Sequence, residues 1–236
     1  VTGASRGIGA AVAKRLAADG FTVIVNYAGS ADAAAEVVDA IETAGGRAVA
    51  AQADVADPGA VARMFDSAQD AFGGVDVLVN NAGVMELKPL AESDDDLFDR
   101  TIAVNLKGTF NGMREAARRM RDGGRVINFS TSVVGVYGPT YGVYAATKAA
   151  VEAMTHVLSK ELGARQINVN AVAPGPVGTE LFLKGKSDEM LNRIKGMIPF
   201  GRLGEPDDIA AVVSFLAGPD GAWVNGQVLR ANGGMV

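Results

Sequence analysis

The stretch Thr2-Gly3-Ala4-Ser5-Arg6-Gly7-Ile8-Gly9 decides the fold, because its glycines stand between an apolar strand end and an alanine-rich helix. Glycine lets a backbone turn sharply and approach a pyrophosphate closely, and a helix N-terminus offers free N–H groups to it. The spacing is GxxxGxG, which differs from the commonest dinucleotide fingerprint, GxGxxG. Taken alone, such a turn also serves tight packing, so its meaning depends on the rest of the chain.

Short β-branched runs alternate with alanine-rich helical stretches along all 236 residues. The predicted strands are 22–26, 47–52, 75–79, 125–130, 167–173 and 227–231, and the predicted helices are 7–19, 31–44, 59–72, 95–120, 144–162 and 206–217. The strands are continuous apolar runs, as expected when both faces of a sheet are covered. This alternation predicts an α/β fold: a single-domain Rossmann-type doubly wound parallel sheet with helices on both faces.

Two features depart from this regular alternation. Residues 176–204 form a long excursion with a short helical piece near 188–195, and such excursions inside compact α/β units are usually functional. We therefore predict a substrate lid there, within one catalytic domain that spans 1–236. The chain opens on Val1-Thr2, which reads as the end of a buried strand, so we expect a few residues to precede it.

Composition argues against several classes of protein. The formal net charge is −5 and the basic residues are scattered, so we expect no nucleic-acid partner. The chain has no cysteine and one histidine, which argues against disulfides, thiol catalysis and a zinc site. No apolar run reaches the ~18 residues of a membrane span. We expect a cytoplasmic protein with no membrane partner and no metal.

A tyrosine and a lysine four residues apart, Tyr144 and Lys148, share one face of a predicted helix. A nearby cation favours the phenolate, so we expect the pKa of Tyr144 to fall from its reference of ~10 toward neutrality. Such a group could give and take protons at cellular pH. The glycine turn and this pair together predict a redox enzyme.

The charge pattern at the end of the strand 22–26 favours NADPH over NADH. An NAD site commonly places a carboxylate at this point, where it binds the ribose 2′-hydroxyl. Here the strand ends Asn26-Tyr27-Ala28, with no carboxylate before Asp32. Arg6 lies inside the glycine turn, where its guanidinium could pair with a 2′-phosphate. We therefore expect NADPH or NADP as the cofactor.

Several motifs in order resemble those of the short-chain dehydrogenase/reductase family over essentially the whole chain. The matching elements are Thr2-Gly3, Gly7-Ile8-Gly9, Asp54-Val55, Asn80-Asn81-Ala82-Gly83, Asn105, Ser130–Ser132, Tyr144, Lys148 and Pro174-Gly175. The resemblance implies hydride transfer between a nicotinamide and a carbonyl or carbinol carbon. The cofactor-binding residues are expected to be Gly3, Ser5, Arg6, Gly7, Ile8, Gly9, Asn26, Tyr27, Ala28, Asp54, Val55, Asn81, Ala82, Gly83, Tyr144, Lys148, Pro174, Gly175, Val177 and Thr179.

The resemblance also implies catalytic roles. Tyr144 would protonate the developing alkoxide, Lys148 would lower the pKa of Tyr144 and hold the nicotinamide ribose, and Asn105 would anchor a water on the proton path. A hydroxyl before the helix would orient the carbonyl oxygen. The spacing usual in the family places it at Thr131, whereas Ser132 has the expected residue type and the expected Val-Val-Gly after it. Both residues stay candidates.

An apolar or aromatic carbonyl substrate is predicted from the residues that could surround the reacting carbon. These are Met85, Leu87, Val134, Val136, Tyr137, Tyr141, Phe182, Met190 and Met197. Within the family, the strand end at Asn26 is similar to NADPH-dependent 3-oxoacyl carrier-protein and naphthol-type ketone reductases. Enoyl reduction is less expected, because that branch spaces its tyrosine and lysine further apart.

Two alternatives stay open at this point: an NAD-dependent alcohol or sugar dehydrogenase, and a non-catalytic cofactor-binding protein. The resemblance further implies self-association as a homotetramer or dimer, with the predicted helix 144–162 and the segment through Gly233-Gly234 as contacts.

Overall fold

Six parallel strands form the central layer of the computed structural model, which describes residues 1–236. They are β1 (Thr22–Tyr27), β2 (Arg47–Gln52), β3 (Val77–Asn80), β4 (Arg125–Phe129), β5 (Asn168–Pro174) and β6 (Val228–Ala231). Strand β1 pairs with β2, and the other four pair in the order β3-β4-β5-β6. All six predicted strands are present, and their ends differ from the prediction by at most two residues.

Val1 and Thr2 lie between the two groups of strands. The Thr2 N–H donates to the Val79 carbonyl at 2.9 Å, and the Asn26 N–H donates to the Val1 carbonyl at 3.1 Å. These two extended residues therefore hold β1 and β3 in one layer, although the sheet is divided into two hydrogen-bonded pieces where the sequence predicts one. The expectation that further residues precede Val1 stays a prediction.

Helices cover both faces of the sheet. They are α1 (Gly7–Ala18), α2 (Ala31–Thr43), α3 (Pro58–Phe72), α4 (Asp95–Thr101), α5 (Gly108–Arg119), α6 (Val133–Val136), α7 (Gly142–Glu161), α8 (Glu180–Leu183), α9 (Asp188–Met197) and α10 (Pro206–Ala217). Helices α1, α2 and α10 share one apolar cluster, and α3, α5 and α7 share another on the opposite face. The predicted α/β, doubly wound class is confirmed. No helix combines the length and apolar character that crossing a membrane requires.

The predicted helix 95–120 is divided into three parts. Helix α4 begins where the Asp94 carboxylate accepts a hydrogen bond from the Leu97 N–H at 2.8 Å, and α5 ends at Arg119. Between α4 and α5, Ile102–Lys107 form a wider π-helical turn. Such turns occur frequently at functional sites, and this one contains Asn105.

The carboxyl ends of the strands meet along one edge, where the glycine turn also leaves the Val1-Thr2 stretch. In open α/β sheets, ligands bind outside this edge at the point where the strand order reverses. The excursion 176–204 rises from the same edge and carries α8 and α9. Its base is closed by backbone hydrogen bonds from Gly178 N to Gly204 O and from Gly204 N to Pro176 O, each 2.9 Å long.

Candidate active site

The glycine turn is built so that backbone segments approach one another closely. Gly3 has φ +61°, and a Cβ added there would lie 2.9 Å from the Cα atom of Ala82. A Cβ added at Gly9 would lie 2.4 Å from the Gly3 carbonyl oxygen. No side chain caps the N-terminus of α1, so its first N–H groups are free to bind an anion.

A cleft of about 590 Å³ runs along this turn. Its lining contains fifteen of the residues predicted to bind the nucleotide: Gly3, Ser5, Arg6, Gly7, Ile8, Gly9, Asn26, Tyr27, Ala28, Asp54, Val55, Asn81, Ala82, Gly83 and Thr179. The structure therefore brings together the glycine turn and residues at the carboxyl ends of four strands, β1, β2, β3 and β5.

Asn26 has a second role within this cleft. Its side-chain amide donates to the carbonyls of Ala51 and Ala53, and its Oδ1 accepts from the Gly3 N–H at 3.1 Å. Because its hydrogen-bonding groups are used inside the protein, Asn26 shapes the glycine turn by tying it to β2.

A second cavity, of about 440 Å³, continues from the cleft. Ile8, Asn81, Gly83, Val84, Thr179 and Leu181 line both spaces. The remaining predicted site residues that line the second cavity are Thr131, Ser132, Tyr144, Lys148, Pro174, Gly175 and Val177. A polar cleft with free N–H groups, open to a mainly apolar cavity, fits a dinucleotide whose reactive end meets an apolar substrate.

Arg6 lies at the border of the cleft and the excursion 176–204. Its Nη1 is 3.3 Å from Oε2 of Glu180, the first residue of α8, and both side chains are largely exposed. Exposed ion pairs contribute little free energy, so this pair can be exchanged for another anion at small cost. The guanidinium is therefore available to a phosphate group that enters the cleft.

Tyr144 and Lys148 lie one turn apart on α7 and face the cavity. The Lys148 Nζ is 5.9 Å from the centre of the Tyr144 ring and donates to the Phe129 carbonyl at 2.8 Å. The ammonium is thus held between the tyrosine ring and the end of β4.

The expected fall in the pKa of Tyr144 is not found, and that expectation is wrong for this structure. Part of the Tyr144 side chain lines the cavity. Desolvation by the surrounding residues nevertheless raises the pKa of Tyr144 to about 12, although the Thr131 hydroxyl has the opposite effect and lowers it. Burial also lowers the pKa of Lys148 to about 8. Tyr144 is therefore a protonated phenol at neutral pH, which is the form of a proton donor.

The three hydroxyls at the end of β4 make three different sets of contacts. Ser130 donates to the Glu152 carboxylate at 2.6 Å. The Thr131 hydroxyl accepts a hydrogen bond from the Val133 N–H at 3.3 Å and lies near enough to the Tyr144 hydroxyl to lower its pKa. Ser132 donates to the Ala173 carbonyl at 3.2 Å and accepts from the Asn232 amide at 2.9 Å. The sequence left Thr131 and Ser132 as equal candidates, and of the two it is Thr131 that contacts the tyrosine.

Asn105 is fully buried and lines neither space. Its amide binds both backbone groups of Val84, with Oδ1 accepting at 2.8 Å and Nδ2 donating at 2.9 Å, and it approaches Thr147 on α7 at 3.4 Å. Asn105 therefore fixes the segment after β3, which carries Gly83 and Val84, relative to α7.

Only some of the residues predicted to surround the substrate line the cavity. Met85, Val136, Tyr141, Phe182 and Met197 line the cavity, whereas Leu87, Val134, Tyr137 and Met190 do not. Further lining side chains that the sequence did not indicate are Val133, Leu181, Ile194 and Met235. No local pattern marked Met235, because it reaches the cavity only through a reversal of the chain after β6.

Comparison with known proteins shows to which family the chain belongs. The chain matches the family model described as enoyl-(acyl carrier protein) reductase over residues 3–236. It is 47% identical over 246 residues to a short-chain type dehydrogenase/reductase of Picea abies, covering 100% of this chain and 91% of that protein. The chain belongs to the short-chain dehydrogenase/reductase family. It is accordingly an NAD(P)-dependent oxidoreductase.

Relatives within the family carry reductase names. An NADPH-dependent aldehyde reductase-like protein, chloroplastic, of Arabidopsis thaliana is 44% identical over 250 residues, with 100% of this chain and 93% of that protein covered. A versicolorin reductase of Emericella nidulans is 40% identical over 246 residues, with coverage of 99% and 93%.

Solved structures of family members superpose closely on this short-chain dehydrogenase/reductase. A dehydrogenase/reductase from Sinorhizobium meliloti has a TM-score of 0.95 and 42% identity, covering 100% of this chain and 93% of that one. The angucycline C-6 ketoreductase LanV, solved with bound NADP, has a TM-score of 0.94 and 40% identity, with coverage of 100% and 93%.

Proposed function

We propose that the protein is an NADPH-dependent carbonyl reductase that converts an apolar or aromatic ketone, or a 3-oxoacyl-type substrate, to the alcohol. The observation that carries this proposal is the protonated Tyr144 in an apolar cavity joined to the nucleotide cleft. Reduction of a carbonyl needs a proton donor at its oxygen, whereas alcohol oxidation needs a base there. A phenol with a raised pKa suits the donor. The spacing of Tyr144 and Lys148 favours carbonyl over enoyl reduction.

In this mechanism a bound NADPH supplies the hydride that adds to the carbonyl carbon. Tyr144 gives its hydroxyl proton to the carbonyl oxygen, and the Thr131 hydroxyl that contacts Tyr144 orients the same oxygen. Lys148 places a cation behind the Tyr144 ring, which stabilises negative charge as the proton leaves. Ser132 is engaged elsewhere and takes a supporting role. Any role of Asn105 on the proton path would be indirect, because its side-chain amide is bound to Val84 and lines neither space.

Cofactor choice is the first test, and it depends on Arg6. We expect the purified protein to bind NADPH more tightly than NADH, because no carboxylate ends β1 and Arg6 can pair with the 2′-phosphate. Arg6→Ala should weaken NADPH binding by about 10- to 100-fold, the usual range for a charge-assisted hydrogen bond, and leave NADH binding unchanged. Fluorescence titration of both nucleotides measures this.

Arg63 on α3 provides the control for that experiment, since it is exposed and lies outside the cleft. Arg63→Ala should leave both affinities unchanged. Tighter NADH binding by the wild-type protein would move the assignment to an NAD-dependent alcohol or sugar dehydrogenase. Binding without turnover of any ketone, aldehyde or 3-oxoester would favour the non-catalytic alternative, which the presence of Tyr144, Lys148 and Asn105 argues against.

The excursion 176–204 is proposed to act as the substrate lid of one catalytic domain that spans 1–236. Val177, Thr179, Leu181, Phe182, Ile194 and Met197 all contribute to the cavity wall. Because its base is closed by hydrogen bonds, movement would be concentrated in α8 and α9.

Self-association as a homotetramer or dimer is a further part of the proposal. Exposed apolar side chains on α5, on α7 and beyond α10, namely Phe110, Val157 and Trp223, support it, and Trp223 is 99% exposed. Light scattering should give a multiple of the chain mass, and Val157→Glu should lower that mass if α7 forms the contact. A monomeric wild-type protein would contradict this.

The cytoplasmic location stays a prediction, since one relative is chloroplastic.

A further inference from the structure

The segment Gly233–Val236 follows β6 and folds back toward the substrate cavity. Gly233 and Gly234 have φ values of +65° and +87°, a region that other residues rarely adopt. A Cβ added at Gly233 would lie 2.8 Å from Cγ2 of Ile198, so the turn also needs glycine for close packing. The reversal brings Met235 to the cavity wall.

Asn232 ties this reversal together with both ends of its side-chain amide. Its Oδ1 accepts from the N–H groups of Gly234 and Met235 at 3.0 and 3.2 Å. Its Nδ2 donates to the Ser132 hydroxyl at 2.9 Å and to the Val236 carbonyl at 3.1 Å. All four hydrogen-bonding positions of the amide are therefore used. The segment is fixed to the residue that follows Thr131, close to the reacting end of the cavity.

The segment also joins two walls of the cavity. On one side, the Phe200 N–H donates to the Gly233 carbonyl at 3.3 Å, at the base of the excursion 176–204. On the other side, Val236 packs on Gly135 of α6. A Cβ added at Gly135 would lie 3.0 Å from Cγ2 of Val236. Met235 is less exposed than either of its neighbours in sequence and lines the cavity between these walls.

We infer that Met235 is a specificity-determining residue of the substrate cavity, and that Asn232 is the positioning residue that holds it there. The inference rests on the proposed carbonyl reduction and names its substrate class: ketones whose carbonyl carries an aromatic ring system, with Met235 limiting the size of that system. Methionine suits this place because its thioether packs well against aromatic faces. Its truncation enlarges the cavity and leaves the side chains of Tyr144, Thr131 and Lys148 unchanged.

The test compares two aryl ketones that differ by one fused ring, acetophenone and 2-acetylnaphthalene. Dissociation constants are measured by calorimetry on the full chain, and kcat/KM is measured with NADPH. Met235→Ala should raise the preference for the naphthyl over the phenyl ketone by about 10-fold or more, the usual effect of changing the volume of an apolar pocket. The matched control is Met190→Ala, because Met190 is an exposed methionine of α9 that does not line the cavity. It should leave the preference unchanged.

Asn232→Asp separates positioning from simple structural support. The carboxylate keeps both acceptor contacts to Gly234 and Met235 but cannot donate to the Ser132 hydroxyl or to the Val236 carbonyl. We expect the ring-size preference to shift part of the way toward that of Met235→Ala, with NADPH affinity unchanged. A purely structural role would lower the melting temperature and leave the preference as it was.

The outcomes are distinguishable from those of the proposed function. A changed preference in binding, without turnover of either ketone, would retain the role of Met235 and reject the reductase. Turnover of the ketones with an unchanged ring-size preference in Met235→Ala would retain the reductase and reject the role of Met235. Failure of every variant to bind either ketone would overturn the inference.

Discussion

Tyr144→Phe is expected to lower kcat for ketone reduction by 10²- to 10⁴-fold, the usual worth of a positioned general acid. This corresponds to about 3–5 kcal/mol of transition-state stabilisation. The phenylalanine ring keeps the shape of the cavity wall and loses only the hydroxyl that contacts Thr131. Because that hydroxyl acts on the reacting oxygen, KM and the affinity for NADPH should change little. Single-turnover kinetics with a saturating ketone measure the effect on the chemical step.

Tyr141→Phe is the matched control, since Tyr141 also lines the cavity and its ring centre lies 6.4 Å from that of Tyr144. Tyr141→Phe should reduce kcat by less than about 10-fold. This is smaller than the loss expected when a general acid is removed. Retention of wild-type kcat in Tyr144→Phe would show that the proton comes from elsewhere. Because burial raises the pKa of Tyr144 to about 12, Tyr144 should not ionise between pH 6 and 9, and the wild type and Tyr144→Phe should titrate alike over that range. Ultraviolet difference spectra check this directly.

Much of the fold and of the cleft could be predicted from short-range rules. Glycines at 3, 7 and 9 mark a turn between strand and helix, and β-branched runs mark buried parallel strands. Since parallel strands end at a shared edge, motifs that follow different strands must meet there. Residues as distant in sequence as Arg6 and Thr179 therefore line one cleft.

The electrostatics of the site could not be predicted in the same way. The spacing of Tyr144 and Lys148 correctly placed them on one helix face, but the direction of the tyrosine pKa shift depends on competing effects. Desolvation grows with the number of surrounding atoms, which the sequence does not reveal, and here it raises the pKa although the Thr131 hydroxyl lowers it and the Lys148 cation lies nearby. Burial also weakens that cation by lowering the pKa of Lys148 itself.

The substrate wall was predicted only in part, because it is formed by residues from loops and chain reversals. Met190 and Met197 were both predicted to surround the reacting carbon, yet only Met197 lines the cavity. Met235 depends on two left-handed glycines and on the amide of Asn232, which are tertiary features. The π-helical turn around Asn105 likewise follows from the loop that its side chain binds, and the helical pattern of 95–120 gave no sign of it.

Lys148→Met is expected to remove activity while stabilising the protein. Loss of the cation behind Tyr144 should lower kcat/KM by about 10²- to 10³-fold, as for other preorganised electrostatic groups. Burial lowers the pKa of this lysine from 10.5 to about 8, so holding its charge at pH 7 costs about 3 kcal/mol. Methionine has no charge and fills similar space, although the hydrogen bond from the Lys148 ammonium to the Phe129 carbonyl, worth about 2 kcal/mol because the donor is charged, is lost.

The net gain of about 1 kcal/mol should raise the melting temperature at pH 7 by roughly 2–4 °C for a chain of this size. The gain depends on pH in a defined direction. The folded-state pKa lies below the unfolded value, so the unfolded chain binds more protons between pH 8 and 10.5, and wild-type stability rises relative to the variant over that range. The difference in melting temperature should therefore be full below pH 8 and shrink above it.

Calorimetry across pH 6–10 on the wild type, Lys148→Met and Lys14→Met measures this difference. Lys14 is an exposed lysine of α1, so its replacement should change neither the melting temperature nor kcat by much at any pH. A melting temperature of Lys148→Met that falls below that of the wild type at pH 7 would show that the lysine stabilises the fold. Burial of this charge would then not be the cost of function that the structure indicates, because stability and turnover would fall together.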